Sequence, residues 1–161
     1  MDFISFKRDF FNGLNPEPME SFRDKAISFF ESLELYERAL LLCTDENQRF
    51  EILLKLNRLE DALKNANSLI KYEKLGRRFL SLGEFNRASE CFLKSNDLDS
   101  LLLTDAFGDK KYLGYVAKKA KENGRNNLAF LAGYKNKDYE LCAKLLKDTP
   151  FYQAFKQFYT E

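Results

Sequence analysis

The chain has 161 residues, 45% of them hydrophobic, with 26 Lys plus Arg against 25 Asp plus Glu and a formal net charge of +1. That apolar content is enough to bury a real core and excludes intrinsic disorder, while the charge balance gives no overall field that would draw the chain onto a polyanion. Histidine is absent, which removes the commonest near-neutral general acid or base.

The opening Met1-Asp2-Phe3-Ile4-Ser5-Phe6-Lys7-Arg8 lacks the basic start and apolar run of a signal peptide, and no later stretch is long enough to cross a bilayer. Beyond it, apolar residues recur at three- and four-residue spacings, as in Phe50, Leu53, Leu54 and Leu59, Ala62, Leu63, Ala66. That is the helical period. Breaks fall at Asn12-Gly13, Asn15-Pro16, Gly83, Asn96-Asp97, Gly108-Asp109, Asn123-Gly124, Asn136 to Asp138 and Thr149-Pro150, each supplying a turn or cap residue. The pattern predicts short helices over roughly 3–12, 18–32, 35–43, 46–56, 59–68, 71–82, 84–94, 97–107, 110–122, 126–135, 138–147 and 151–159.

Several of these helices open with a large residue followed three positions later by a small one: Tyr36 and Ala39, Leu59 and Ala62, Phe85 and Ala88, Tyr139 and Cys142, Phe151 and Ala154. A small residue lets two helices cross closely, and the large one a turn earlier fills the space beside the crossing. Leu59, Phe85, Tyr112 and Tyr139 are spaced by 26, 27 and 27 positions, although Tyr115 breaks the small-residue rule after Tyr112. The expected fold is all-α: an α-solenoid of short stacked antiparallel hairpins with this repeat, forming a single domain over residues 1–161. The repeat is shorter than the roughly 34-residue tetratricopeptide unit and the roughly 40-residue HEAT unit, so neither consensus is expected.

Candidate chemistry is sparse. Cys43, Cys91 and Cys142 sit among apolar residues at helical spacing, with no Cys-x-x-Cys pair, and read as buried reduced thiols rather than nucleophiles or metal ligands. Acidic residues gather at helix openings such as Asp45-Glu46, Glu60-Asp61 and Asp97, where they cap and oppose the helix dipole. The glycines Gly76, Gly83, Gly108, Gly114, Gly124 and Gly133 form no phosphate-cradling spacing. The expectation is no catalytic residue, no cofactor and no metal, hence no enzyme.

The most basic stretch, Lys110-Lys111, Lys118-Lys119, Lys121 and Arg125 with Tyr112 and Tyr115 interleaved, reads as a solvated face. Its alternative is contact with RNA or acidic lipid. Both ends are rich in aromatics: Phe3, Phe6, Phe10 and Phe11 at the start, Phe151, Tyr152, Phe155, Phe158 and Tyr159 at the finish. A terminal repeat needs a polar outer face unless something covers it. The final five aromatics are therefore the candidate partner-binding residues, with core packing as the alternative.

From about Thr44 to Tyr159 the sequence resembles the α-solenoid of the beta-prime subunit family of the COPI vesicle coat, coatomer. The resemblance is carried by Asp45-Glu46-Asn47-Gln48-Arg49-Phe50-Glu51, Ala88-Ser89-Glu90-Cys91-Phe92, Asp99-Ser100-Leu101-Leu102-Leu103, Gly124-Arg125-Asn126-Asn127-Leu128-Ala129-Phe130 and Leu141-Cys142-Ala143-Lys144-Leu145-Leu146. The alpha subunit is built similarly, but the Asn-Asn-Leu-Ala-Phe stretch is closer to beta-prime. The resemblance implies a structural role, pairing with the alpha subunit's solenoid and other coat subunits in Golgi-to-endoplasmic-reticulum vesicle transport. It also implies a cytoplasmic protein held at the Golgi membrane and COPI vesicle through the assembled coat, with no nucleic-acid partner. Members of the family carry two β-propellers before the solenoid that recognise dilysine cargo tails. Nothing here alternates like a propeller strand, so the chain reads as a fragment of a longer subunit without cargo recognition. The alternative function is a stand-alone helical-repeat adaptor that binds a peptide or partner protein.

Overall fold

The computed structural model describes residues 16–159, and within them every regular element is a helix. In chain order these are α1 (Pro16–Ser32), α2 (Tyr36–Leu42), α3 (Glu46–Lys55), α4 (Leu59–Lys64), α5 (Leu69–Ser81), α6 (Phe85–Ser95), α7 (Leu98–Phe107), α8 (Leu113–Glu122), α9 (Asn126–Lys135), α10 (Tyr139–Leu146) and α11 (Tyr152–Tyr159). The helix expected over 3–12, with its Phe3, Phe6, Phe10 and Phe11, lies outside the described residues.

The helices gather into two compact units, Met1–Ala66 and Asn67–Glu161. In the first, α1 packs on α2, α2 on α3 and α3 on α4, around Ile27, Phe50, Ile52 and Leu53. In the second, each helix from α5 to α11 packs on the next, and α7 also touches α9. Its core holds Leu75, Phe79, Phe92, Leu101, Leu113 and Val116. This is the all-α solenoid that the periodicity predicts.

Six turns share one device. Glu34, Asn57, Gly83, Asn96, Gly124 and Lys137 all take positive φ. The next residue's N–H reaches five residues back, as in Leu35 to the Phe30 carbonyl at 2.8 Å, Arg58 to Leu53 at 2.9 Å and Arg125 to Ala120 at 2.8 Å. This is the Schellman ending, which satisfies the last carbonyls of one helix in two residues. The following helix starts at once, so hairpins are short.

The turn between α7 and α8 departs from this scheme. Asp105 is 2% exposed, and its carboxylate accepts the N–H groups of Lys111 at 3.0 Å and Tyr112 at 2.7 Å. These bonds hold residues 110–112 out of the helix, so α8 begins at Leu113 instead of the expected 110. Val116, fully buried, takes the crossing position that the Tyr112 and Tyr115 spacing fails to provide. Counted from first residues, α4, α6, α8 and α10 are offset by 26, 28 and 26 positions.

The expected helix over 59–68 is also shorter. The Asn65 side-chain amide donates to the Asp61 carbonyl at 2.7 Å, and Ser68 caps the next helix by accepting from the Lys71 N–H at 3.3 Å. Helix α5 therefore begins at Leu69, two residues before the expected 71. Elsewhere the acidic caps act as read: Asp45 accepts from the Gln48 N–H at 2.7 Å and Asp97 from the Ser100 N–H at 3.1 Å.

Candidate interaction surface

Helix α11 carries four of the five aromatics singled out above, with Phe151 in the turn just before it, and helical geometry divides them. Tyr152, Phe155 and Tyr159 stand three and four residues apart and share one face. Phe155 is buried against Cys142 and Ala143, with Phe130, Tyr139, Leu146 and Tyr152 around it. Tyr159 stacks on Phe155 with ring centroids 4.7 Å apart and meets Tyr134 edge-on at 5.6 Å. Such pairs contribute about 0.5–1.5 kcal/mol each beyond area burial. The hydroxyls of Tyr134 and Tyr159 are 3.1 Å apart, and this hydrogen bond raises the pKa of the Tyr134 phenol.

The other two point away. Phe151 is 68% exposed and Phe158 78%, and Ala154, between them on the same side, is exposed as well. The result is a helix with an aromatic inner face and an exposed apolar row, Ala154 and Phe158, along one flank beside the solvent-facing Gln153 and Gln157. Spacing alone could not assign the faces, because the direction of α11 over α10 is set by Phe130 and Tyr139 from earlier helices.

The remaining candidates fall into structural places. Burial raises the pKa of all three thiols, that of Cys91 to about 11, which leaves no thiolate for nucleophilic attack near neutrality. In the basic stretch, Arg125 donates twice to Asp99 at 2.7 and 2.9 Å and Lys119 pairs with Glu122 at 3.1 Å. Lys110, Lys111, Lys118 and Lys121 are exposed. Asp61 is held by Arg58 at 2.8 Å, and that bond lowers the carboxyl pKa. Among the described residues no helix is long and apolar enough to cross a membrane.

Sequence reasoning passed over Leu103, Phe107 and Leu131, which are 54%, 70% and 50% exposed. The signal was present in LDSLLLTDAF and NNLAFLAGYK, the sequences of α7 and α9, whose apolar residues fall on inner and outer sides alike rather than along one stripe.

The protein-family model described as the COPA/B TPR domain matches residues 14–153. Coatomer subunit beta'-2 of Oryza sativa subsp. japonica is 37% identical over 139 residues, covering 84% of this chain and 15% of that protein. Coatomer subunit beta' of Drosophila melanogaster is 33% identical over 131 residues, 79% of this chain and 14% of the relative. For the Rattus norvegicus subunit beta' the identity is 30% over 128 residues, 77% and 14%. The chain thus spans about 15% of the length of the curated relatives it matches.

Proposed function

Because the chain belongs to the COPA/B TPR domain family, we propose that it is a scaffold stretch of the COPI vesicle coat, a helical stack that joins coat subunits and performs no chemistry of its own. The observation that carries this reading is the match over residues 14–153, which runs through both compact units. It supports treating residues 1–161 as one α-solenoid domain of a longer coat subunit. The beta' names of the relatives support the same assignment.

Physically, stacked hairpins suit the role: each contacts only its neighbours, so the stack offers long lateral faces to another protein. The partner is the solenoid of the coatomer alpha subunit, with other coat subunits around it. The chain then sits in the cytoplasm, on the Golgi membrane and COPI vesicle, through the assembled coat. At the C-terminal end, Phe151 just before α11 and Phe158 within it make partner contacts, while Tyr152, Phe155 and Tyr159 fix the helix that presents them.

Size-exclusion chromatography with light scattering, on this chain alone and mixed with the alpha subunit's solenoid from the same organism, tests the proposal. A stable species at the summed mass is expected. Two separate peaks from two folded proteins would overturn it.

A further inference from the structure

We infer that the outer face of α7, α9 and α11, marked by Leu103, Leu131 and Phe158, docks a helical surface of a partner protein whose apolar stripe is edged by Asp and Glu. This rests on the scaffold reading and gives it a face and a partner chemistry.

The first argument is the circumference of α7 and α9. Helix α7 buries Leu98, Leu101 and Leu102 yet exposes Leu103 and Phe107; α9 buries Leu128, Ala129 and Ala132 yet exposes Leu131 and Tyr134. A helix with apolar residues on inner and outer sides alike is one covered on both sides. Helices α6, α8 and α10 in the same unit behave differently, each turning two or more charged side chains to solvent, such as Arg87 and Glu90, Lys118 and Lys121, and Glu140 and Lys144.

The second is alignment. Leu103 and Leu131 are each the sixth residue of their helix and Phe158 the seventh of α11. Helix α7 touches α9, and α9 meets α11 through Phe130 and Phe155, 5.7 Å apart, so the three helices are neighbours. A cleft of about 530 Å³ lined by Phe130, Leu131, Leu145 and Leu146 lies beside this row.

The third is charge. The only exposed ionisable side chains on α7, α9 and α11, tyrosines aside, are Asp99, Lys135 and Lys156, and Asp99 is bound by Arg125. Charge depletion with aromatic enrichment marks the core of a protein interface. Lys135, four residues after Leu131, lies on the same side of α9, so the charge beside the row is positive. A second copy docking through the same patch would bring its own Lys135 to the same face, which like-charge repulsion disfavours. A partner with carboxylates beside its apolar stripe fits instead.

The test titrates the full chain with the alpha-subunit solenoid by calorimetry, using Leu103→Glu, Leu131→Glu, Lys135→Glu and, on α8, Lys118→Glu. Because Leu103 and Leu131 are about half exposed, their variants are expected to keep the wild-type Tm. The expectation is at least about tenfold weaker binding for each leucine variant, about threefold for Lys135→Glu with a shallower salt dependence, and no change for Lys118→Glu. Should a leucine variant misfold, Lys135→Glu and the salt dependence still decide. Wild-type binding that none of these three variants alters would overturn the face and leave the scaffold reading standing. No wild-type binding would overturn both. Leu131-dependent binding to phosphatidylserine vesicles, or a Leu131-dependent homodimer, with the protein complex unaffected, would overturn the partner assignment.

Discussion

The ring of Phe92 on α6 occupies the space where a side chain on Gly76 of α5 would stand: a Cβ built there would lie 2.8 Å from Phe92 Cε1. Both residues are buried, so the two helices meet with a bare backbone on one side and an aromatic plate on the other.

Glycine inside a helix ordinarily costs about 0.5–1 kcal/mol relative to alanine. At Gly76 the sign reverses, because overpacking a close crossing costs about 1–3 kcal/mol. Gly76→Ala is therefore expected to lower stability by about 1 kcal/mol and to reduce Tm by several degrees. Thermal unfolding followed by circular dichroism checks it, and a higher Tm would show that Phe92 can move aside.

Ala39, Ala62, Ala88 and Cys142, the small residues of four repeat pairs, are each 0% exposed. Ala154 has the same sequence setting after Phe151 but is exposed. Ala88→Arg is expected to cost more than about 4 kcal/mol, and Ala154→Arg no more than about 0.5 kcal/mol. Equal losses in a urea titration would mean that α11 is covered in the same way as α6.

Asp105 replaces a Schellman turn with a buried carboxylate, so its truncation should be felt throughout the second unit. Asp105→Ala leaves the part-buried Lys111 and Tyr112 N–H groups without their acceptor, at about 1–2 kcal/mol each. The denaturation midpoint is expected to fall by about 2–4 kcal/mol in equivalent stability with the m-value unchanged. Asp105→Asn, which keeps one acceptor oxygen, should lose about half as much.

Glu34 and Lys137 adopt φ of 57° and 59° at turns where Gly83 and Gly124 hold 75° and 71°. A side chain in the left-handed region costs about 1–2 kcal/mol, partly offset by the extra unfolded-state freedom of glycine. Lys137→Gly and Glu34→Gly are each expected to raise stability by about 0.5–1 kcal/mol. Gly124→Ala should lose about 1 kcal/mol, although nothing lies within 4 Å of the added Cβ. Paired melts of the three variants separate backbone strain from packing.

Burial raises the Cys91 thiol from an ordinary 9.0 to about 11. The folded protein keeps the proton to higher pH than the unfolded chain, so this contribution to stability is complete below pH 9 and is lost as pH rises towards 11. Two units correspond to at most about 2–3 kcal/mol. Cys91→Ala, while less stable at pH 7, should show a smaller further loss between pH 8.5 and 10.5 in urea titrations. Identical alkaline slopes would show that Cys91 does not titrate with unfolding.

The sequence by itself determined the helices and most of their ends, because apolar periodicity and cap residues such as Asp45 and Asp97 act within four residues of where they stand. It also marked the repeat: the small residues at Ala39, Ala62, Ala88 and Cys142 are buried as their spacing requires. The left-handed turns were legible at Gly83, Asn96 and Gly124 but silent at Glu34, where the conformation is imposed on an ordinary side chain by the Schellman bonds and the packing of the next helix. Only the tertiary structure decided that Asp105 would hold α8 back to Leu113, that Phe155 would turn inward while Phe151 and Phe158 turned out, and that Leu103 and Leu131 would be left uncovered. Each of those outcomes depends on which helix lies alongside, a contact between residues distant in the chain that local spacing does not encode.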